Sequence, residues 1–191
     1  LSEIGVDILI FKNTVKKNLY YPSDITNSFN SNLIFFPNFQ LTIKFKKMAS
    51  VSIYLNFPGN AEEAFNTYKN IFKTEFSNPF MRMGDIPSQP GMPTLSETDK
   101  MKIMHVALPI LGGIQIMATD ALESMGHKLI EGNNVTLSLN PDTKEEADRL
   151  YNELSQGGTD GVAPHNEFWG YWGTCKDRFG IRWMFNIENT A

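Results

Sequence analysis

The chain holds one cysteine, Cys175, among its 191 residues. A lone thiol excludes an internal disulfide and a cysteine-built zinc site, and it suits a reducing compartment, so the expected location is cytoplasmic. Arginine is almost as scarce. Arg82, Arg149, Arg178 and Arg182 are the four present, and with a formal net charge of -4 they form no basic stripe for a phosphate backbone. Nucleic acid is thereby excluded as an expected partner. No apolar run approaches the roughly 20 residues that a bilayer-crossing helix needs; the longest near the N-terminus, around residues 8–11 and 33–36, are far shorter. A membrane role has no support, and the start of the chain lacks the basic region, apolar core and small-residue site of a secretory signal.

The first 48 residues lack alanine, arginine, histidine and tryptophan altogether, and are dominated by Asn, Lys, Phe, Ile, Leu, Ser and Thr. Their six lysines and three acids give +3, against eleven bases and eighteen acids, or -7, in residues 49–191. Such a bias is expected of AT-rich DNA read as protein. Residues 1–48 therefore read as a non-native or mis-translated leader, with Met48 as the natural start. The alternative is a real extension in which residues 33–45 form an added strand.

What the remainder does contain is a near repeat. Residues 58–68 read PGNAEEAFNTY, and 83 positions later residues 141–151 read PDTKEEADRLY. Each copy follows a strand-like run, residues 51–57 and 134–139. In the first, Val51, Ile53, Leu55 and Phe57 alternate with Ser52, Tyr54 and Asn56, the mark of a half-buried strand. Helices are expected over residues 61–72 and 143–155, with Glu62, Glu63, Glu145 and Glu146 in their favourable first turns. Further strands are expected over 75–83, 103–110 and 114–118 in one module, and near Val162, over 168–174 and over 181–187 in the other. Gly112 and Gly113 supply a hairpin turn. Residues 84–102, rich in Pro, Gly, Ser and Thr, read as a long loop or lid. The expected architecture is α+β: one domain over 49–191, made of modules 50–120 and 133–188, each a strand, a helix and three strands.

Five ordered blocks carry a resemblance to a known superfamily: YLNFPGNAEEAFNTYKNIF at 54–72, MHVALPILGG at 104–113, GNNVTLSLN at 132–140, EEADRLYNELSQGG at 145–158 and FWGYWGTCKDRFGIRWMFN at 168–186. Over about residues 50–188 the chain resembles the vicinal oxygen chelate superfamily of glyoxalase, bleomycin resistance and dioxygenase proteins, and within it the PhnB-like branch. The resemblance implies two βαβββ modules forming an incomplete barrel around a cavity, and a homodimer. Metal-binding members hold His, Gln or Glu on the first and last strands of each module. Here those positions fall on Ser52 or Ile53, Asn134 or Thr136, Met117 and Met184. An amide, hydroxyls and two thioethers suit divalent zinc or iron poorly, so neither a metal nor another cofactor is expected. A methyltransferase label attached to the branch finds no glycine-rich strand-to-helix loop to hold a nucleotide-like cofactor.

The expected function is therefore binding of a small organic molecule in the cavity. The alternative is a metal-dependent lyase, isomerase or dioxygenase that uses His105. His105 is the candidate catalytic residue, since it lies in strand-like sequence and imidazole suits proton transfer at neutral pH; the plainer role is a core histidine. If Ile103, His105 and Ala107 share the cavity face, Tyr54, Asn56, Asn134, Thr136 and Ser138 add hydrogen-bonding groups, and Met117, Met184, Trp169 and Trp172 add contact area. Trp172 occupies in its module the position of His105 in the other, so the two are expected to face each other. Cys175 is expected to be inert, His127 and His165 exposed, and Asp177 a turn residue.

Overall fold

The computed structural model describes residues 4–9, 19–21, 34–36, 39–45, 51–87 and 94–189. The chain divides into two compact units, Leu1–Val51 and Ser52–Ala191. In the first, β1 (Ile4–Leu9), β2 (Leu19–Tyr21), β3 (Ile34–Phe36) and β4 (Phe39–Phe45) form an antiparallel sheet in the order β2-β1-β4-β3. The residues around Met48, and 88–93 of the expected lid, lie outside the described residues.

The second unit contains the repeat. Its first module runs β5 (Ile53–Phe57), α1 (Ala61–Phe72), β6 (Met81–Arg82), α2 (Glu97–Met101), β7 (Ile103–Pro109) and β8 (Gln115–Asp120). The second runs β9 (Leu137–Leu139), α3 (Lys144–Leu154), β10 (Thr159–Glu167), β11 (Gly170–Lys176) and β12 (Arg182–Glu188). The sheets match strand for strand, β5-β8-β7-β6 and β9-β12-β11-β10. In each, the strand before the helix pairs parallel with the last strand of its module, and the other pairings are antiparallel. The result is the expected α+β arrangement of two βαβββ modules, with both sheets open.

Local chemistry accounts for the elements. α1 begins after the Pro58-Gly59-Asn60 turn with Glu62 and Glu63 in its first turn, and ends where Lys73 takes a left-handed conformation and donates its N–H to the Lys69 carbonyl. Thr143 caps α3, accepting the Glu146 N–H at 3.2 Å. The strand expected over residues 75–83 shrinks to Met81–Arg82, because Pro79 cannot donate to a ladder and Phe76 and Phe80 pack on one another at 4.7 Å instead. Within the expected loop 84–102, Ser96 accepts the Asp99 N–H and starts α2. β10 is irregular: its pairing with β11 shifts register twice, Asp160 has a positive φ, and Pro164 lacks an N–H.

The helices α1 and α3 each lie against the sheet of their own module, and they touch one another, Arg149 donating to the Ile71 carbonyl at 3.0 Å. One continuous core results, in which Phe57, Phe65, Leu108 and Ile116 of the first module join Leu150, Trp183 and Phe185 of the second. Burying a side chain of this size contributes about 1.5–3 kcal/mol. With both helices on the core side, neither covers the opposite face of either sheet.

Candidate functional site

Alternation along β5 turns Ile53, Leu55 and Phe57 to the core and leaves Tyr54 and Asn56 exposed. Register carries this face across the sheet: Tyr54 is paired with Met117, Asn56 with Thr119, and Ala107 with Met117. His105 joins the same face. Its ring stacks on Tyr54 with centroids 5.9 Å apart, and its Nδ1 lies 3.4 Å from the tyrosine hydroxyl. Burial raises the Tyr54 hydroxyl pKa above its ordinary value, the neighbouring Thr119 hydroxyl partly opposing the rise.

Ile103 departs from the expected cavity face. It is buried in the core, and its N–H donates to Asp120 at 2.7 Å. The cause is a bulge: β6 pairs Met81 with His105 and Arg82 with Ile103, so one step on β6 spans two on β7 and the alternation breaks between Ile103 and His105. Met104 takes a place beside the exposed face. Together with Tyr54, Asn56 and Thr119 it lines a groove of about 720 Å³, whose other walls are Met83 and Ile86 on one side and Ala121, Leu122 and residues 125–130 of the connector on the other. Asp120 also borders this groove, but both its oxygens are taken, one by the Ala61 N–H at 2.9 Å and one by that of Ile103.

The second sheet repeats the design with other residues. Met184 is paired with both Ser138 and Thr174, and Trp172 with Asn186, on the face opposite the buried Trp183, Phe185 and Cys175. Trp172 meets the His165 ring edge-on at 6.2 Å. His165, exposed on β10, is held between the Ala163 carbonyl at 2.9 Å and Glu167 at 3.0 Å. Both partners are acceptors, the carbonyl having the larger effect, and they raise its pKa. His105 and Trp172 thus occupy equivalent strands, each packed against a neighbour of its own sheet.

The remaining expected site residues are distributed along the seam between modules. Asn134 shares a groove of about 170 Å³ with Leu55 and Asn56, and Thr136 and Ser138 share one of about 440 Å³ with Ile53 and Ile110. Trp169 stands at the β10–β11 turn against Phe168, 44% exposed, and lines none of these grooves. Met83, Ile86, Met104, Thr119 and the connector enter the site without having been singled out by sequence. For Met104, the bulge that exposes it leaves no mark in the residue pattern.

Asp177 is more than a turn residue. One oxygen accepts the Phe179 and Ile181 N–H groups, each at 2.9 Å; the other accepts the Tyr68 hydroxyl and the Trp183 indole N–H, each at 2.7 Å. Burial nevertheless raises its pKa, the four donors only partly offsetting the lost hydration. Tyr68, the tyrosine of the first repeat, is thereby tied to the second module, whereas its counterpart Tyr151 packs against Phe185 of its own module. Cys175 is fully buried; burial and the neighbouring Asp177 push its thiol up to about 12. Among the described residues, no group of three or more His, Cys, Asp or Glu side chains comes together as a metal site would require.

Comparison with known proteins accords with this architecture. The family model described as 3-demethylubiquinone-9 3-methyltransferase matches residues 49–185. The crystal structure of protein PA1353 from Pseudomonas aeruginosa is 32% identical, with a TM-score of 0.62, covering 75% of this chain and 100% of that one. A Bacillus cereus structure described as a putative 3-demethylubiquinone-9 3-methyltransferase, PhnB protein, is 22% identical, with a TM-score of 0.56, covering 73% of this chain and 99% of that one. A glyoxylase/bleomycin resistance protein/dioxygenase domain from Frankia sp. is 12% identical, with a TM-score of 0.46, covering 76% and 100%. No curated protein matches the sequence. The chain belongs to the 3-demethylubiquinone-9 3-methyltransferase family.

Proposed function

We propose that this protein binds a small organic molecule on the open face of the β5-β8-β7-β6 sheet and does so without the metal of its superfamily. The observation that carries this reading is the groove over Tyr54, Asn56 and Thr119, whose volume of about 720 Å³ lies in the range of ligand sites. The metal-site positions do not fit a divalent ion. Ile53 faces the core, Ser52 lies outside β5 and is exposed, Met117 and Met184 offer thioethers, and Asn134 or Thr136 offers an amide or a hydroxyl. Methyl transfer, the activity in the family's description, has no more support: the strand-to-helix turns at 58–60 and 140–143 hold one glycine between them, Gly59, and form no glycine-rich loop for a nucleotide-like cofactor.

In this reading His105 is the catalytic candidate and works with Tyr54. The exposed Ile114 and Val135 support burial against a second copy in a homodimer, and the single cysteine supports a cytoplasmic location. Metal analysis of protein purified without a polyhistidine tag tests the central claim: sub-stoichiometric metal is expected, and one zinc, nickel, manganese or iron per chain would refute it. His105→Gln is expected to abolish any turnover while leaving ligand affinity within twofold.

A further inference from the structure

We infer that the ligand of this groove is an uncharged, largely apolar molecule of variable shape, anchored at one end by a hydrogen-bonding group that meets Tyr54 and Asn56. The inference rests on the binding role proposed for the groove and adds the chemistry of its occupant. The walls are Met83, Ile86, Met104, Leu122, Leu129 and Ile130, with Met125 and Ala121 beside them. Three of these are methionines, whose unbranched, polarizable side chains adapt to more than one shape.

Charge is almost absent from this lining. Asp120 spends both oxygens on main-chain N–H groups, and the two other ionisable groups in the walls, His127 and Lys128, are exposed on the connector. An anionic ligand would give up its hydration there beside a buried carboxylate and without a buried cation in return, and a cationic one would meet a carboxylate already engaged by two N–H donors. Polar groups gather on the floor instead. Thr119 already donates to the Ile103 carbonyl at 3.2 Å, the Tyr54 hydroxyl has one long contact to His105, and the Asn56 amide has no hydrogen-bond partner among the described residues. Tyr54 and Asn56 are therefore the groups left to receive a ligand carbonyl or hydroxyl. At the rim, Tyr54, Met125 and Ile130 are 46%, 38% and 85% exposed, large apolar side chains left uncovered beside the groove.

Fluorescence titration of the full chain with neutral N-phenylnaphthylamine and with anionic anilinonaphthalene sulfonate tests this. The neutral dye is expected to bind at least tenfold tighter, with an affinity insensitive to salt. Met125→Glu and Ile130→Glu, both on the exposed connector, are expected to weaken it at least fivefold, and Phe168→Ser, at the distant exposed hairpin, to leave it unchanged. If the anionic dye binds equally well or better and responds to the same two variants, the groove stands as a site and the inferred ligand class falls. Where neither dye responds to those variants, the binding role itself falls. Dye affinity that drops as protein concentration rises would assign the groove to a second copy of the chain and overturn the inference.

Discussion

Replacing Asp177 with asparagine keeps the shape of the side chain and removes one acceptor from a site that needs two. If the amide oxygen keeps the Phe179 and Ile181 N–H groups, the new NH₂ faces Tyr68 and Trp183. The tyrosine hydroxyl can rotate and accept, but the indole N–H can only donate and becomes an orphaned buried donor. An orphan of this kind costs about 1–3 kcal/mol. Release of the desolvation penalty that raises the Asp177 pKa works in the opposite direction, so a net loss of about 1–2 kcal/mol is expected at neutral pH. Asp177→Ala removes the acceptor for all four donors and is expected to cost about 4 kcal/mol or more.

Urea unfolding followed by tryptophan fluorescence reads these losses as shifts in midpoint at constant slope. The pH dependence supplies a second test. Because the folded pKa of Asp177 lies above its ordinary value, this group's contribution to stability is full below that ordinary value and declines as pH rises through the folded one. The advantage of wild type over Asp177→Asn should accordingly shrink as pH rises across that window. An asparagine variant within about 0.5 kcal/mol of wild type at every pH would refute the tie between modules, being no larger than the effect of an ordinary surface substitution.

Two further outcomes follow from burial and close approach. Cys175, with its thiol at about 12, is expected to resist iodoacetamide in the native protein at pH 8 and to react fully in urea; rapid native labelling, measured by mass spectrometry, would count against its inaccessibility. Gly170 sits where a Cβ would overlap the Ile187 carbonyl oxygen, so Gly170→Ala is expected to break the β11–β12 ladder and lower the melting temperature by several degrees, as a scanning calorimeter would show.

Much of this fold is legible in the residue pattern because repeated features imposed it. The alternation at 53–57 marks β5, and the two helices follow the duplicated Pro, Glu-Glu-Ala and Tyr. What could not be read was set by contacts remote in sequence. Nothing in residues 103–105 announces that β6 will pair across a bulge and exchange Ile103 for Met104 at the groove. Asp177 looks like any turn aspartate until α1, 109 positions earlier, brings Tyr68 to it. The face of β5 was predictable, but its opposing wall was not, because residues 121–130 have no period and are placed by Leu122, which is buried.

The irregularity of β10 bears on how other molecules meet this unit. A regular outer strand offers a row of unpaired main-chain groups on which a foreign strand can be added. Of the four outer strands of its two sheets, β6 is two residues long, and β10 is kinked by Asp160, shifted twice in register and interrupted by Pro164. Neither presents a template for adding a strand, so the sheets resist growing into ribbons at those borders. Recognition on that perimeter has to be written in side chains, a vocabulary that mutation can edit one residue at a time.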